Sequence, residues 1–415
     1  MKFVKIFFLL ALILFPFGEL LRFQITNHVA IKPIDVVVGI TAMIWVASQL
    51  RPKSKVKSPK LMGKFKRFQK HSLLFPLSLF ILIGFISLVI NLIWLRGSEF
   101  LVSLLYLLRF VSYLALLPIV MQFDNAFKKT ISKVLLVDGL IILLLGYLQY
   151  FFYNSLKSVY HLGWDEHMHR MVSTFFDPNF VGAFFVLYLL FVGGIFFKYQ
   201  IVSIKYKVYL GLLLFLVLIA LFLTFSRASL LMFLVSMVVF FLLINKKRFI
   251  ALGIALLILF GIVVSPKFYD ENMNLFRIAS SNARLENYGV ALQVIEDHPI
   301  IGVGFNSYRY TKDLYGLNHD WVDAPSHADA GVDNSWLFVL ATTGILGFAG
   351  YSWFWVRVIR SLLKLKRSVV VAAMIAGIVG LFIHALFINS LFFTPLLFWI
   401  WIVLGLRLDS SVSSR

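Results

Sequence analysis

Long apolar stretches separated by short polar segments run through almost the whole chain. A helix needs about 20 apolar residues to cross a bilayer, and twelve stretches approach that length. They lie at about 3–21, 34–50, 72–95, 99–122, 132–153, 178–197, 208–225, 228–245, 249–265, 335–357, 368–389 and 391–407. The pattern predicts an all-α polytopic membrane protein with about twelve transmembrane helices, forming a single integral domain over residues 1–415.

The longest polar segment, 266–333, separates the ninth stretch from the tenth. Apolar residues recur in it three and four positions apart, as on one face of a helix, at Leu285, Tyr288, Leu292 and Ile295. Pro299 and Gly302 then end any continuing helix. We expect one long extracytoplasmic loop that carries short amphipathic helices.

Composition and charge agree with this interpretation. The chain is 60% hydrophobic, contains no cysteine and has a formal net charge of +20. With the N-terminus inside, 27 of the 39 basic residues fall in inner segments, whereas 13 of the 19 acidic residues fall in 154–177 and 266–333. Cytoplasmic loops carry an excess of Lys and Arg, so both termini are predicted to be cytoplasmic. The basic excess then indicates membrane lipids as partners and no nucleic acid.

Arginines near the predicted outer face are candidate anion ligands, because guanidinium binds phosphate through two parallel hydrogen bonds. Arg227 lies at the turn between two apolar stretches, Arg284 lies in the long loop, and Arg170 precedes another stretch. A surface arginine that extends toward water is the other interpretation. Arg109 lies inside the fourth stretch, where it needs a partner or an aqueous cavity. It could reach a lipid diphosphate, or form a structural ion pair.

Acidic and imidazole groups near the end of the long loop have two interpretations each. Asp333 and Asn334 stand before an apolar stretch, where such residues commonly cap a helix. Two histidines and three aspartates between His319 and Asp329 could bind a divalent cation, but their spacing matches no known metal site. We therefore predict no metal site.

Several short motifs occur in a fixed order along these segments. They are Thr224-Phe225-Ser226-Arg227, Arg284-x-x-x-Tyr288, His298-Pro299-x-x-Gly302-x-Gly304, Asp333-Asn334-Ser335-Trp336-Leu337 and Thr343-Gly344-x-x-Gly347. In order and membrane placement they resemble the O-antigen ligase and polymerase family of bacterial membrane glycosyltransferases. The resemblance covers about residues 170–350, which we expect to form the core of the domain.

The resemblance implies a multi-pass protein of the bacterial plasma membrane with its active face outside. The donor would be an undecaprenyl-diphosphate-linked glycan, and a glycan hydroxyl would be the acceptor. The implied reaction uses no metal or cofactor. Arg227 and Arg284 match the family's two outer arginine positions, which bind the diphosphate, and Arg170 and Arg109 are further candidates. Flippase and chain-length regulator proteins are the expected protein partners.

One position departs from the ligase pattern. Ligases typically have His-Asn where this chain has Asp333-Asn334, and that histidine is the proposed base. Asp333 could accept the proton instead, with His327 as a second candidate. The departure favours a polymerase of oligosaccharide repeat units over a ligase that transfers finished glycan to lipid, protein or wall. A transporter of polysaccharide or lipid-linked sugar is the alternative from another class.

Overall fold

The computed structural model describes residues 1–26, 29–50, 73–198, 203–246, 279–316 and 331–408. The helices are α1 (Lys2–Leu14), α2 (Pro33–Leu50), α3 (Phe75–Ile90), α4 (Gly97–Leu114), α5 (Leu116–Met121), α6 (Asn125–Phe152), α7 (Pro178–Lys198), α8 (Ile204–Leu223), α9 (Arg227–Leu243), α10 (Ala279–Asp297), α11 (Tyr308–Leu314), α12 (Ser335–Lys364), α13 (Val369–His384) and α14 (Thr394–Gly405). Strands β1 (Phe23–Thr26) and β2 (Val29–Ile31) pair antiparallel. Short 3₁₀ turns occupy Phe15–Leu21, Asn91–Ile93, Lys157–Leu162, Ser173–Phe175 and Ser390–Phe392.

The apolar helices confirm an all-α polytopic membrane protein. In the described part of the chain, eight helical stretches are long and apolar enough to cross a bilayer, and α9, α13 and α14 are shorter apolar helices. These helices coincide with every predicted stretch except 249–265, which lies outside the described residues. The total of twelve therefore stays a prediction.

The glycine-containing loop after α10 packs into a break in α12. Gly344 has a φ of 61° and a ψ of −169°, which interrupts the helix. The freed amides of Ile345 and Leu346 donate to the carbonyls of Pro299 and Ile300, at 2.9 and 3.3 Å. Backbone groups freed inside a membrane need such partners. The motifs around Pro299 and Gly344 therefore form one joint.

Gly302 supports the same joint from the loop side. Its φ of 67° is a left-handed conformation that glycine adopts without strain. A Cβ there would lie 2.5 Å from the carbonyl carbon of Thr342. The carbonyl of Gly302 accepts a hydrogen bond from the Asn91 amide at 3.0 Å. The joint thus fixes the loop against α12 and against the end of α3.

Helix α10 includes the four apolar positions of the predicted amphipathic segment, but the residues that it buries completely are not among those four. Ala291 and Val294 are completely buried, whereas Leu285 and Leu292 are 66% and 49% exposed. The small Ala291 lets the helix approach the start of α12 closely, and this contact decides which face is buried.

Candidate functional site

A cavity of about 850 Å³ opens among α4, α10 and the segments that precede α7 and α12. Its lining includes four of the six predicted site residues: Arg109, Arg170, Arg284 and Asp333. Arg227 stands close by, within electrostatic range of Arg284. His327, the second candidate base, and the possible metal ligands from His319 to Asp329 lie outside the described residues.

Arg170, Arg227 and Arg284 form an arginine cluster at this cavity. Arg227 is the first residue of α9, where the helix dipole is positive. The charge of Arg284 acts on Arg227 from α10. No carboxylate among the described residues forms an ion pair with Arg284. Two guanidinium groups and a helix N-terminus therefore converge, which favours a bound anion.

The turn before Arg227 is held by Arg170. The Nε of Arg170 donates to the carbonyl of Thr224 at 2.9 Å, and its Nη2 donates to the carbonyl of Phe225 at 3.4 Å. Phe225 has a φ of 48°, which is unusual for a large side chain. Ser226 caps α9 by accepting from the amide of Ser229. Arg170 thus supports the turn that carries Arg227, and its predicted contact with diphosphate stays a prediction.

Asp333 and Asn334 have different functions at the start of α12. The Oδ1 of Asn334 accepts from the amides of Trp336 and Leu337, at 2.8 and 3.1 Å. Asn334 is therefore the helix cap, and the capping interpretation does not apply to the Asp333 side chain, which lines the cavity. The Asp333 backbone is joined to α10, because its amide donates to Asn287 Oδ1 at 3.0 Å.

The surroundings of Asp333 raise the pKa of its carboxyl group to about 6. Burial is the main cause, and the negative charges of Asp177 and Asp165 act in the same direction. The positive charges of Arg284 and Lys312 oppose them. A carboxylate with this pKa is still largely ionised at pH 7 and accepts a proton more readily than an ordinary aspartate does.

A histidine for which the sequence predicted no partner lies beside the acidic neighbours of Asp333. The Nε2 of His167 lies 3.8 Å from Asp177 Oδ2 and 4.0 Å from Asp165 Oδ2. All three residues line the cavity. The sequence signal was present, since the three residues share the polar segment 154–177, but only folding brings that segment to Asp333.

Sequence reasoning identified Arg109 but missed the charged residues that surround it at the cavity. The buried Lys32 Nζ donates to Glu19 Oε1 at 2.7 Å and to Thr394 Oγ1 at 3.1 Å. Arg109 Nη2 lies 3.0 Å from Asp35 Oδ2. We name Glu19, Lys32, Asp35 and Arg109 the ion-pair cluster. Its signal in the sequence was a set of isolated charges beside apolar stretches, each of which requires a partner.

Arg109 therefore has the structural ion pair that was one of its two interpretations. Its Nη2 also donates to Thr394 Oγ1 at 3.0 Å. Because the same side chain lines the cavity, the ion pair does not remove it from the site. A direct contact between Arg109 and a diphosphate stays a prediction.

Another cavity, of about 670 Å³, contains none of the predicted site residues. Its walls are mostly apolar and belong to α6, α7, α13 and α14. The polar residues at its edge are mainly lysines, including Lys128, Lys129 and Lys133. It lacks the combination of arginines and carboxylates that the first cavity offers for chemistry.

Residues 212–352 match the model of the family described as O-antigen ligase, which confirms the resemblance predicted from the motifs. The matched region includes Arg227, Arg284, Asp333 and the joint at Gly344, and it excludes the whole ion-pair cluster. No curated protein gives a significant match to the chain.

Proposed function

We propose that this O-antigen ligase-related chain is a membrane glycosyltransferase that joins undecaprenyl-diphosphate-linked oligosaccharides at the outer leaflet. The observation that carries the proposal is that Arg284 and Asp333 line one cavity, with Arg227 within electrostatic range of Arg284. The arginines come from α9 and α10, and the carboxylate precedes α12. The proposed orientation has both termini in the cytoplasm of a bacterial cell. Flippase and chain-length regulator proteins stay proposed partners.

The proposed reaction transfers a glycosyl group between oxygen atoms. The acceptor hydroxyl oxygen attacks the anomeric carbon of the donor, and the bond from that carbon to the diphosphate oxygen breaks. The diphosphate leaves with the electron pair, and Arg227 and Arg284 stabilise its developing charge. Asp333 receives the proton of the acceptor hydroxyl. Because guanidinium groups supply the positive charge, the proposed reaction is metal-independent.

Polymerisation of repeat units is the preferred candidate, because ligases that the chain resembles have His-Asn where it has Asp333-Asn334. Asp333 can still act as the base. Its carboxylate, in the place of the ligase histidine, has a pKa raised to about 6, near the ordinary pKa of histidine. It can therefore accept a proton in the same pH range. Ligation of finished glycan is the second candidate, because the matching family is described as O-antigen ligase.

Substitution of Arg284 tests the proposal most directly. In cells that lack the native protein, Arg284→Ala should lower glycan transfer by about 10²–10³-fold, as expected when one stabilising donor is lost. Arg96→Ala is the matched control, because the Arg96 side chain is 86% exposed and does not line the cavity. Normal product from Arg284→Ala, at normal protein level, would sink the proposal.

The size of accumulated glycan separates the two candidate activities. A cell without a polymerase should contain single lipid-linked repeat units. A cell without a ligase should accumulate long lipid-linked polymer. Gel electrophoresis of glycans from a deletion strain distinguishes these outcomes, and accumulation of long polymer would assign the chain to ligation.

A further inference from the structure

Two buried polar atoms in the cavity wall have no hydrogen-bond partner among the described residues. They are Asn389 Oδ1 and Arg109 Nε, and both side chains line the cavity. One is an acceptor and the other is a donor. A buried polar atom without a partner costs about 1–3 kcal/mol. A polar ligand at this wall would supply the hydrogen bonds that the described protein atoms do not make.

Asn389 is placed beside the candidate base. It lies between α13 and the turn at Ser390–Phe392. Its side-chain amide packs against Gly331, where a Cβ would come within 3.3 Å of Asn389 Nδ2. Gly331 stands two residues before Asp333. A ligand held by Asn389 therefore reaches the segment that carries Asp333.

Aromatic rings line the wall between Asn389 and Arg109. The Phe392 ring lies 5.2 Å from the Phe110 ring and 5.1 Å from the Phe338 ring, measured between centroids. All three rings contribute to the cavity lining. Phe110 follows Arg109 directly in the chain, and Phe392 follows Asn389 by three residues. An apolar aromatic surface therefore belongs to the same cavity wall as the two unpartnered polar atoms.

The wall discriminates between possible ligand classes. A diphosphate offers only acceptor oxygens at neutral pH, so it can accept from Arg109 Nε but cannot donate to the carbonyl oxygen of Asn389. A sugar ring has hydroxyls that both donate and accept, and its C–H face packs on aromatic rings. Arg109 is already neutralised by Asp35 at 3.0 Å, which further reduces the attraction for an anion. An uncharged sugar fits these groups best.

We propose that the wall formed by Asn389, Phe392 and Arg109 binds the acceptor sugar, with Asn389 Oδ1 accepting a hydrogen bond from one of its hydroxyls. This inference rests on the proposed function. The diphosphate of the donor occupies the arginine cluster, and the acceptor lies on the Asn389 side of Asp333. Asn389 is then a binding residue that selects the acceptor and places its attacking hydroxyl near the base.

Two measurements on matched variants test the assignment. Polymer is quantified in cells that lack the native protein, and binding of undecaprenyl diphosphate is measured on the purified full-length protein. Asn389→Leu should lower polymer about fivefold to tenfold, which is the loss of one hydrogen bond. Its affinity for undecaprenyl diphosphate should not change. Asn389→Asp keeps an acceptor oxygen and should retain most of the polymer.

The controls separate this inference from the proposed function. Gln122→Leu makes a similar amide-to-leucine exchange at an exposed residue outside the cavity and should change neither measurement. Arg284→Ala should lower both the amount of polymer and the affinity for undecaprenyl diphosphate. If it lowers neither, the proposed function is wrong. If Arg284→Ala behaves as expected but Asn389→Leu makes normal polymer, only the acceptor site fails.

Two further outcomes would also overturn the acceptor site. One is a loss of undecaprenyl diphosphate affinity in Asn389→Leu as large as that in Arg284→Ala. The other is failure of Asn389→Asp to retain polymer while it folds normally. If Asn389→Leu is not recovered as folded protein, Asn389→Ala replaces it, because alanine removes the carbonyl without adding bulk.

Discussion

The arginine cluster and the ion-pair cluster contact the same cavity, yet their positive charges are compensated differently. In the ion-pair cluster Lys32 and Arg109 each lie within 3.0 Å of a carboxylate. In the arginine cluster Arg284 repels Arg227, and α9 adds the positive end of its dipole. An anion therefore gains most at the arginine cluster. The number of cations in a cavity wall is therefore a poorer guide to a diphosphate site than whether nearby carboxylates neutralise those cations.

The family match includes Arg227 and Arg284 of the arginine cluster but not Arg170, which precedes it. It begins well after the whole ion-pair cluster. The proposed chemistry is thus assigned to the matched region, whereas the ion-pair cluster connects the first helices and α4 to the cavity wall. The comparison predicts that substitutions in one cluster change turnover and that substitutions in the other change stability.

The largest difference between the clusters is expected when an aspartate of each site, Asp333 or Asp35, is replaced with asparagine. Asp333→Asn should lower glycan transfer by about 10²–10⁴-fold, as for loss of a general base, with little change in thermal unfolding. Asp35→Asn should mainly lower the unfolding temperature, because Asp35 binds Arg109 and accepts from the Tyr113 hydroxyl at 2.6 Å. If the effects on rate and stability were exchanged, the division between the clusters would be wrong.

The pH dependence of the wild-type rate gives a second measurement on Asp333. Because its pKa is raised to about 6, its carboxylate is protonated as the pH falls through about 6. The rate should then decrease as the base is lost. Asp333→Asn should remove this decrease. A wild-type midpoint near pH 4, the range of an ordinary aspartate, would contradict the proposed base.

The next largest effect, a loss of folding stability, is expected on substitution of Glu19. Glu19→Gln leaves the buried Lys32 ammonium without its carboxylate, so it should destabilise the protein by about 3–5 kcal/mol. Glu19→Leu combined with Lys32→Met removes both charges and should recover most of that stability. Thermal unfolding in detergent measures both variants.

Undecaprenyl diphosphate binding then decides whether the ion-pair cluster is an anion site. The double variant should keep the wild-type affinity, since its arginine cluster is intact. A folded double variant with the low affinity expected of Arg284→Ala would show that the ion-pair cluster binds the diphosphate as well.

The joint at Gly344 should show an intermediate effect. Gly344→Ala forces alanine into a positive-φ conformation, at about 1–3 kcal/mol, and places its Cβ 2.2 Å from Ile300 backbone atoms. The loop that carries α10 must shift, and Arg284 shifts with it. Expressed as a free energy, the loss in the glycan transfer rate should exceed the loss in the free energy of unfolding. Gly350→Ala is the control, because the nearest atoms to its Cβ lie at 3.5 Å; equal effects would exclude a special function of the joint.

The sequence predicted the spans and the arginine cluster because both leave local signals. Apolar length identifies a span, and the order of short motifs identified Arg227 and Arg284. The partners of Glu19 and Asp35 were not predictable, because hydropathy contains no information on which charges meet. The break at Gly344 lies inside an uninterrupted apolar run, so only the backbone reveals it. The raised pKa of Asp333 results mainly from burial and also from the charge of Asp177, and both depend on the folded structure.

The smallest contrast compares two tyrosines that each donate one hydrogen bond near a cluster. The Tyr288 hydroxyl contacts the carbonyls of Leu386 and Asp333, at 2.6 and 3.2 Å, and thereby connects α10 to the start of α12. The Tyr113 hydroxyl contacts Asp35 in the ion-pair cluster. Replacing either with phenylalanine removes a bond that contributes about 0.5–1.5 kcal/mol.

The two losses should appear in different measurements. Tyr288→Phe should lower the transfer rate a few-fold, because Asp333 is then less firmly placed relative to Arg284, and Tyr113→Phe should lower the unfolding temperature by a few degrees. Both variants keep the ring and its packing, so volume cannot account for a difference between them. Equal rates in the two variants would mean that the Tyr288 hydroxyl does not position the base, and that the α12 cap and the Asn287 contact are sufficient to place Asp333.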